Sequence, residues 1–353
     1  MTASHVQPRP ARARRGNLLR LVLGSLVGAA CLWGSVSGVD RRVLVDTLSG
    51  IRIGWLLAAL ATVAATVAAS ALRWQRILQR GSRPTSYGRY LLAAVTGQML
   101  NALLPIRLGE PARAMWISRA EQLPLTRVFA SIVVERVADV SMLVVSIGVL
   151  LLMLSLPSWT RGSGAVALAA SLGTLLLAFV LAQRGAWLLR RMRHPMRILP
   201  GRVRMVVLRQ SRIAIHELQL LGQWRASGVV WALSAVIVLF AAATNYALFL
   251  AFGLSLSPFV ALFMFVVLQV GVAPASTPGN VGVFHYLVVL VLAASQVDRT
   301  IAMAYAIVLH AIVIVPRIVV GGVAFASAST PVFRPPAWER SALDADVSGS
   351  GGR

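Results

Sequence analysis

The sequence predicts an all-α fold, a polytopic transmembrane helix bundle with two re-entrant hairpins. Of the 353 residues, 58% are hydrophobic and 13% are charged, whereas soluble domains carry about 25% charged residues. Apolar runs recur along the chain, and most of them reach the roughly 20 residues that cross a ~30 Å hydrocarbon core. Some runs are shorter, and proline and glycine interrupt the chain beside them. Long runs predict spanning helices, and short, broken runs predict the hairpins.

The apolar runs form one membrane domain, residues 17–328, between two tails. The basic tail, residues 1–16, and the Ser-, Gly- and Asp-rich tail, residues 329–353, are expected to be disordered. An arginine-rich stretch, residues 184–225, is expected to be a cytoplasmic linker within the domain. Nine membrane segments are predicted, at 18–37, 51–72, 90–104, 128–156, 165–182, 229–252, 258–272, 284–294 and 302–326.

The net charge of +23 comes entirely from arginine, since the chain contains no lysine. Most arginines lie between apolar runs, as the positive-inside rule requires. The pattern predicts a multi-pass protein of the bacterial inner membrane with both termini in the cytoplasm. No nucleic-acid motif accompanies the charge, so a nucleic-acid partner is not expected. The single cysteine, Cys31, excludes an intrachain disulfide, and no cofactor or metal is expected.

The positions of the arginines predict the first hairpin. Residues 73–89 and 119–127 are both arginine-bearing and predicted cytoplasmic, so the chain between them must enter the membrane and return on the same side. The turn is placed near Pro105. The short segments 258–272 and 284–294 flank a Pro- and Gly-rich stretch and predict a second hairpin, entered from the opposite face. Two such hairpins are typical of inverted-repeat transporters with a site near the membrane midplane.

The first candidate site follows Asn101 and contains Arg107, Glu110 and Arg113. If Pro111 occupies the first turn of a short helix, Glu110 lies near its start and Arg113 is one turn away, close enough to pair. Two arginines beside free backbone amides suit a phosphate group. A structural ion pair that fixes the hairpin is the alternative.

The second candidate site is Glu135, Arg136 and Asp139, in the predicted segment 128–156. Glu135 and Asp139 share a helix face and Arg136 lies one turn from Asp139, so the cluster is expected to face the bundle interior. It could bridge to the arginines of the first site, carry protons or contact a cationic headgroup. A structural salt bridge is again the alternative.

The third candidate site is the break at Pro278, Gly279 and Gly282, followed by His285. Proline and glycine leave backbone groups unpaired there, and these groups could coordinate a polar ligand. In the last segment, Arg317 is expected to reach the cytoplasmic interface rather than a site.

At these residues the chain resembles the membrane region of the lysylphosphatidylglycerol synthase (flippase-like) family. The resemblance implies a multi-helix domain with re-entrant helices that holds or moves a lipid, with the charged residues of the first two sites around the lipid path. His310 stands where the family often has an arginine, and Phe284 and His285 where an acidic residue is common. The soluble aminoacyl-transferase half is absent, so synthesis of lysyl lipid is not expected. The resemblance rests on Asn101-x3-Pro105-x-Arg107-x-Gly109-Glu110-x2-Arg113, Glu135-Arg136-x2-Asp139, Pro278-Gly279-x2-Gly282-Val283 and the glycines after Pro316.

The leading hypothesis is an inner-membrane protein that binds and flips an anionic phospholipid or a polyprenyl-phosphate-linked headgroup. One alternative is a membrane-embedded lipid or glycan transferase with Glu135 or Asp139 as base, although no nucleophile or metal motif supports catalysis. Another is a non-catalytic subunit that scaffolds a glycosyltransferase, and a homo-oligomer or a synthase partner is possible. No catalytic residue is assigned. The predicted substrate-binding residues are Asn101, Arg107, Glu110, Arg113, Glu135, Arg136, Asp139, Pro278, Gly279 and Gly282.

Overall fold

The computed structural model describes residues 26–79, 85–104, 108–153, 224–272 and 278–327, together with residues 169, 172, 173 and 176. Within these ranges the chain forms ten α-helices and one 3-10 turn, with no strand. The predicted all-α membrane bundle is therefore confirmed. The helices are α1 (Leu26–Val36), α2 (Arg41–Ser49), α3 (Ile53–Leu78), α4 (Tyr87–Leu103), α5 (Gly109–Ala120), α6 (Leu125–Met153), α7 (Trp224–Ala251), α8 (Pro258–Gly271), α9 (Val283–Ala294) and α10 (Arg299–Ser327).

Helix length divides the bundle into two halves of the same plan. In the described part of the chain, α3, α6, α7 and α10 are long and apolar enough to cross a membrane. Between α3 and α6 lie the short helices α4 and α5, of 17 and 12 residues, and between α7 and α10 lie α8 and α9, of 14 and 12 residues. At 1.5 Å per residue, all four are about 18–26 Å long and fall short of a ~30 Å hydrocarbon core.

The first long helices of the two halves, α3 and α7, run antiparallel to each other. Helix α3 packs along α7, and contacts at three levels show the relative direction of the two helices. At one end Arg52 N donates to Ala251 O over 3.0 Å, and further along the Thr62 and Thr244 hydroxyls lie 2.9 Å apart. At the other end a guanidinium of α3 reaches a serine hydroxyl of α7. Residue numbers rise along α3 as they fall along α7, which is the antiparallel arrangement that an inverted repeat requires.

Helices α4 and α5 form a hairpin. At its open end, Arg89 Nη1 lies 3.3 Å from Glu121 Oε1. At its closed end, Gly109 N donates to Asn101 Oδ1 over 2.8 Å. The turn, residues 105–107, lies outside the described residues. The contacts at both ends show that the end of α5 lies beside the start of α4. Entry of this hairpin into the membrane stays a prediction.

Helices α8 and α9 are joined through the 3-10 turn Pro278–Asn280. Helix α8 begins at Pro258, after Ser257, whose hydroxyl accepts from Phe259 N. Helices α8 and α9 pack closely, since a Cβ added at Gly271 would lie 2.5 Å from Leu287 Cδ1. This pair corresponds to the second predicted hairpin, and its membrane entry likewise stays a prediction.

Helix α10 begins after Asp298, whose carboxylate accepts from the backbone amides of Thr300 at 2.7 Å and Ile301 at 3.3 Å. These hydrogen bonds hold the pKa of Asp298 below its usual value. Pro316 lies inside the helix, which a membrane bundle tolerates when neighbouring groups pack around it.

Several segment boundaries differ from the sequence prediction. Helix α3 continues to Leu78, past the predicted end at residue 72, because its last turns pack in the core through Trp74. Helix α2 was not predicted, since it is short and lacks buried residues. The Asp40 carboxylate accepts from Arg42 N at 2.8 Å and starts it. The tails 1–16 and 329–353, all but four residues of segment 165–182, and the linker as far as residue 223 lie outside the described residues.

A buried aromatic cluster fixes α3, α4 and α6 around the hairpin. The rings of Trp74 and Tyr90 meet edge to face at 5.4 Å, and both residues are fully buried. Trp74 Nε1 donates to Ser131 Oγ over 2.9 Å, which ties α3 to α6. The two helices are therefore held in one register at the level where the charged residues lie.

Candidate functional site

Three arginines and three carboxylates from α3, α5 and α6 form a closed ring of ion pairs, here called the charged ring. Each arginine contacts two carboxylates and each carboxylate contacts two arginines, so the formal charges cancel. The N–O distances around the ring are Arg73–Asp139 2.8 Å, Asp139–Arg136 3.2 Å, Arg136–Glu110 2.9 Å, Glu110–Arg113 2.7 Å, Arg113–Glu135 2.7 Å and Glu135–Arg73 3.8 Å.

Local helix geometry forms two sides of the charged ring. Glu110 and Arg113 lie three residues apart in the first turns of α5, and Arg136 and Asp139 lie three apart on α6, so each pair meets on one helix face. Both predicted pairs therefore form. Tertiary packing adds the rest, including a bridge from Arg113 to Glu135, which was one of the alternatives left open for the second site.

The charged ring has a buried side and an open side. The side chains of Glu135 and Arg73 are 3% and 5% exposed, whereas that of Arg136 is 57% exposed. On the buried side, the Arg113 guanidinium lies 4.5 Å from the Trp74 ring centroid, a cation–π distance. Arg73 Nη1 donates to Ser234 Oγ over 2.9 Å. Neutral side chains thus add contacts to the two buried arginines, whereas the open side of the ring is accessible.

The charged ring faces a cavity of about 760 Å³ that both halves of the bundle line. Further polar lining comes from Gln98, Asn101, Gln269, Asn280 and His310, and the apolar walls come from helices α3, α6, α7, α8 and α10. Among the described residues, no three His, Cys, Asp or Glu side chains are grouped as a metal site. The cavity offers charged groups beside apolar walls, which suits an amphiphile.

The two broken segments meet at this cavity. Gly279, in the 3-10 turn, has φ 60°, a left-handed conformation that favours glycine. Its carbonyl oxygen lies 2.9 Å from His310 Nε2 of α10. On the other side, a Cβ added at Gly279 would lie 3.8 Å from Ala102 O, at the end of α4. The turn therefore sits between α4 and α10, next to the closed end of the first hairpin.

Seven of the ten predicted substrate-binding residues line the cavity. Of the other three, Arg107 lies outside the described residues, and Pro278 is described by its backbone alone. Gly282 has φ 89° and packs on α1, where an added Cβ would lie 1.9 Å from Gly28 O. Its lack of a side chain serves helix packing rather than the cavity. The seven are Asn101, Glu110, Arg113, Glu135, Arg136, Asp139 and Gly279.

Two arginines of the cavity were not predicted. Arg73 was interpreted as a cytoplasmic marker, yet it completes the charged ring. A polar stripe on α3, formed by Thr66 and Ser70 before Arg73, could have revealed it, because these spacings share one helix face. Arg317 was expected at the interface, but it lines the cavity. Its position depends on packing of α10 on α4, which its sequence neighbours do not indicate.

A comparison with protein-family models matches residues 21–321 to the lysylphosphatidylglycerol synthase TM region. The chain belongs to this family. The match spans the charged ring and both hairpins, so the resemblance seen in the motifs is confirmed. Membership of the lysylphosphatidylglycerol synthase TM family, with the four long apolar helices, establishes a membrane protein of a lipid-related kind. A comparison with curated proteins finds no match.

Proposed function

We propose that this protein binds an anionic phospholipid or lipid-linked headgroup in the cavity and moves it across the membrane. The carrying observation is that one cavity joins the charged ring to both broken segments, inside a bundle of long apolar helices. A headgroup is costly to place in hydrocarbon unless polar groups shield it. A cavity with charged and apolar walls supplies that shield at membrane depth.

The open side of the charged ring is where headgroup contact is proposed. Arg136 is held by Glu110 and Asp139 at 2.9 and 3.2 Å, and its side chain is more exposed than those of the other five ring members. An entering headgroup can replace one of these carboxylates at Arg136 while the buried pairs stay intact. The ring would then reclose after the lipid leaves.

The two hairpins are proposed to enter from opposite membrane faces and to meet at the cavity. The antiparallel packing of α3 and α7 supports this, as does the position of the 3-10 turn beside α4. The distribution of arginines supports a cytoplasmic location for both termini, and the membrane is proposed to be a bacterial inner membrane. The transferase alternative is less favoured, because arginines hold each of the three ring carboxylates and none is left as a general base.

Lipid movement in vesicles tests the proposal. The whole chain is reconstituted with a trace of fluorescent phosphatidylglycerol, and the inner-leaflet share is followed by quenching from outside. Wild type is expected to move the lipid faster than protein-free vesicles. Arg136→Gln is expected to slow it about tenfold or more, since a hydrogen bond to a charged group contributes ~1.5–3 kcal/mol.

The matched control is Arg76→Gln, an exposed arginine of α3 outside the cavity lining, which should move lipid like wild type. Wild-type vesicles that match protein-free vesicles would refute the proposal. Chemical conversion of the lipid would favour the transferase alternative instead. Equal rates for the two variants would remove Arg136 from the lipid path.

A further inference from the structure

The cavity lining contains one arginine that the charged ring does not use. Arg317 lies on α10, seven residues after His310, so both face the cavity from one side of the helix. Its Nε is buried and finds no hydrogen-bond partner among the described residues. Within those residues its guanidinium makes no ion pair. Arg317 is half-buried as a residue, but its Nε is fully buried, and a buried donor without a partner is costly, which points to a partner that binds from outside the chain.

Formal charge distinguishes Arg317 from the arginines of the charged ring, because no carboxylate of the lining balances it. Three arginines and three carboxylates cancel in the ring. With His310 neutral, the described lining residues carry a formal net charge of +1, which Arg317 supplies. An anion bound at the ring must displace a carboxylate from an arginine, whereas an anion bound at Arg317 displaces none. The charge of the empty cavity therefore favours an anion at Arg317.

Packing on both sides fixes the place of Arg317. One turn later, Gly321 lies against α4, where an added Cβ would be 2.5 Å from Met99 Cβ. Two turns earlier, His310 bonds to Gly279 O. The backbone that carries the guanidinium is thus held at two contacts, which lowers the entropy lost when it binds a ligand.

We propose that Arg317 holds the phosphodiester of the transported lipid, and that the cavity therefore prefers headgroups of net charge −1. This rests on the proposed function, in that a lipid enters the cavity. A guanidinium donates two parallel hydrogen bonds to phosphate oxygens. The side-chain amides of Gln269 and Asn280 line the same cavity and can donate to the headgroup. Arg136 and the ring would contact the headgroup only as it passes.

A lipid suits this cavity better than free phosphate. Apolar side chains of five helices, among them Val63, Leu143, Ile237 and Val313, line the cavity that Arg317 faces. These walls can cover glycerol and acyl carbons and gain about 25 cal/mol per Å² of apolar surface buried. Inorganic phosphate gains nothing from them.

Lipid binding to the purified full chain tests the inference separately from transport. Native mass spectrometry in detergent compares dioleoyl-phosphatidylglycerol, zwitterionic dioleoyl-phosphatidylcholine and a cationic ethyl-phosphatidylcholine. Wild type is expected to prefer the anionic lipid over the ethyl ester about tenfold or more, because the ethyl ester lacks a charged phosphate oxygen and the charge-assisted bonds contribute ~1.5–3 kcal/mol. Phosphatidylcholine, whose choline cancels the phosphate charge, should fall between the two, and Arg317→Gln should lose the preference. Arg317→Lys should retain part of it. Arg299→Gln, on the same helix but outside the cavity lining, should retain all of it.

Three results would overturn the inference: an unchanged preference in Arg317→Gln, no preference in wild type, or displacement of the lipid by inorganic phosphate. If Arg317→Gln does not fold, Arg317→Lys decides, because lysine cannot donate two parallel hydrogen bonds: a preference equal to that of wild type would overturn the inference. A different result would refute the proposed function while leaving this inference intact. Arg317-dependent binding of phosphatidylglycerol without lipid movement in vesicles would keep this inference and refute transport.

Discussion

Arg73→Gln is expected to destabilise the fold by about 3–5 kcal/mol, the cost of breaking a buried ion pair by removing one partner. Arg73 contacts Asp139 at 2.8 Å and Glu135 at 3.8 Å, and the Glu135 side chain is 3% exposed. Glutamine can still bond Ser234 but brings no charge. The ring would then hold two arginines against three carboxylates, with the excess negative charge inside the bundle.

Reversible unfolding in mixed micelles measures this effect. Arg76→Gln is the matched control, because Arg76 lies three residues further along α3 and is exposed. Surface substitutions usually stay within about ±0.5 kcal/mol. The double variant Arg73→Gln, Asp139→Asn should be more stable than the sum of the single changes, since it restores charge balance. An Arg73→Gln variant as stable as Arg76→Gln would contradict the charged ring.

Gly109→Ala is expected to destabilise the hairpin by about 3 kcal/mol, near the upper end for overpacking. An added Cβ would lie 1.9 Å from Gly97 O and 2.6 Å from Asn101 Oδ1. Gly97 O belongs to the backbone and cannot rotate away, so α4 and α5 must separate. Separation would lengthen the 2.8 Å bond from Gly109 N to Asn101 and withdraw Glu110 from the ring.

The control for this prediction is Gly148→Ala on α6. A Cβ added at Gly148 meets no atom within 4 Å, and alanine exceeds glycine in helix propensity by up to about 1 kcal/mol. Unfolding should therefore show Gly148→Ala as neutral or stabilised. Similar stabilities for the two variants would mean that α4 and α5 do not cross closely at Gly109.

Regular spacing made much of the fold and part of the site predictable from sequence. Long apolar runs identified the spanning helices, and short runs beside proline and glycine identified the segments that meet at the cavity. The pairs Glu110–Arg113 and Arg136–Asp139 followed from residues three apart on a helix. Each of these inferences depends on local geometry or on hydropathy, which the sequence carries directly.

Residues placed by tertiary packing were not predictable in the same way. The positive-inside rule cannot separate an arginine in the last turns of a spanning helix from one just beyond it, so Arg73 was assigned to a loop. Packing of α3 on α6 and α7 buries it. Arg317 was expected at the interface for a different reason, namely that a long arginine side chain can reach the interface from within a span. Gly282 lies in a Pro- and Gly-rich break of the kind expected to bind a ligand. It packs instead against α1, which is distant in sequence.

The central claim is that the headgroup passes through the cavity. Ala241 of α7 lines the cavity, and Ala232 of the same helix is exposed and lies outside the lining. Ala241→Trp would place a large ring in the cavity and leave all six residues of the charged ring unchanged. Ala232→Trp adds the same ring on the outer surface of the bundle.

The deciding measurement is phosphatidylglycerol movement in vesicles that contain equal amounts of folded Ala241→Trp or Ala232→Trp protein. The cavity pathway predicts that Ala241→Trp falls to the rate of protein-free vesicles while Ala232→Trp keeps the wild-type rate. Wild-type lipid movement by Ala241→Trp would place the lipid path outside the cavity and contradict the account.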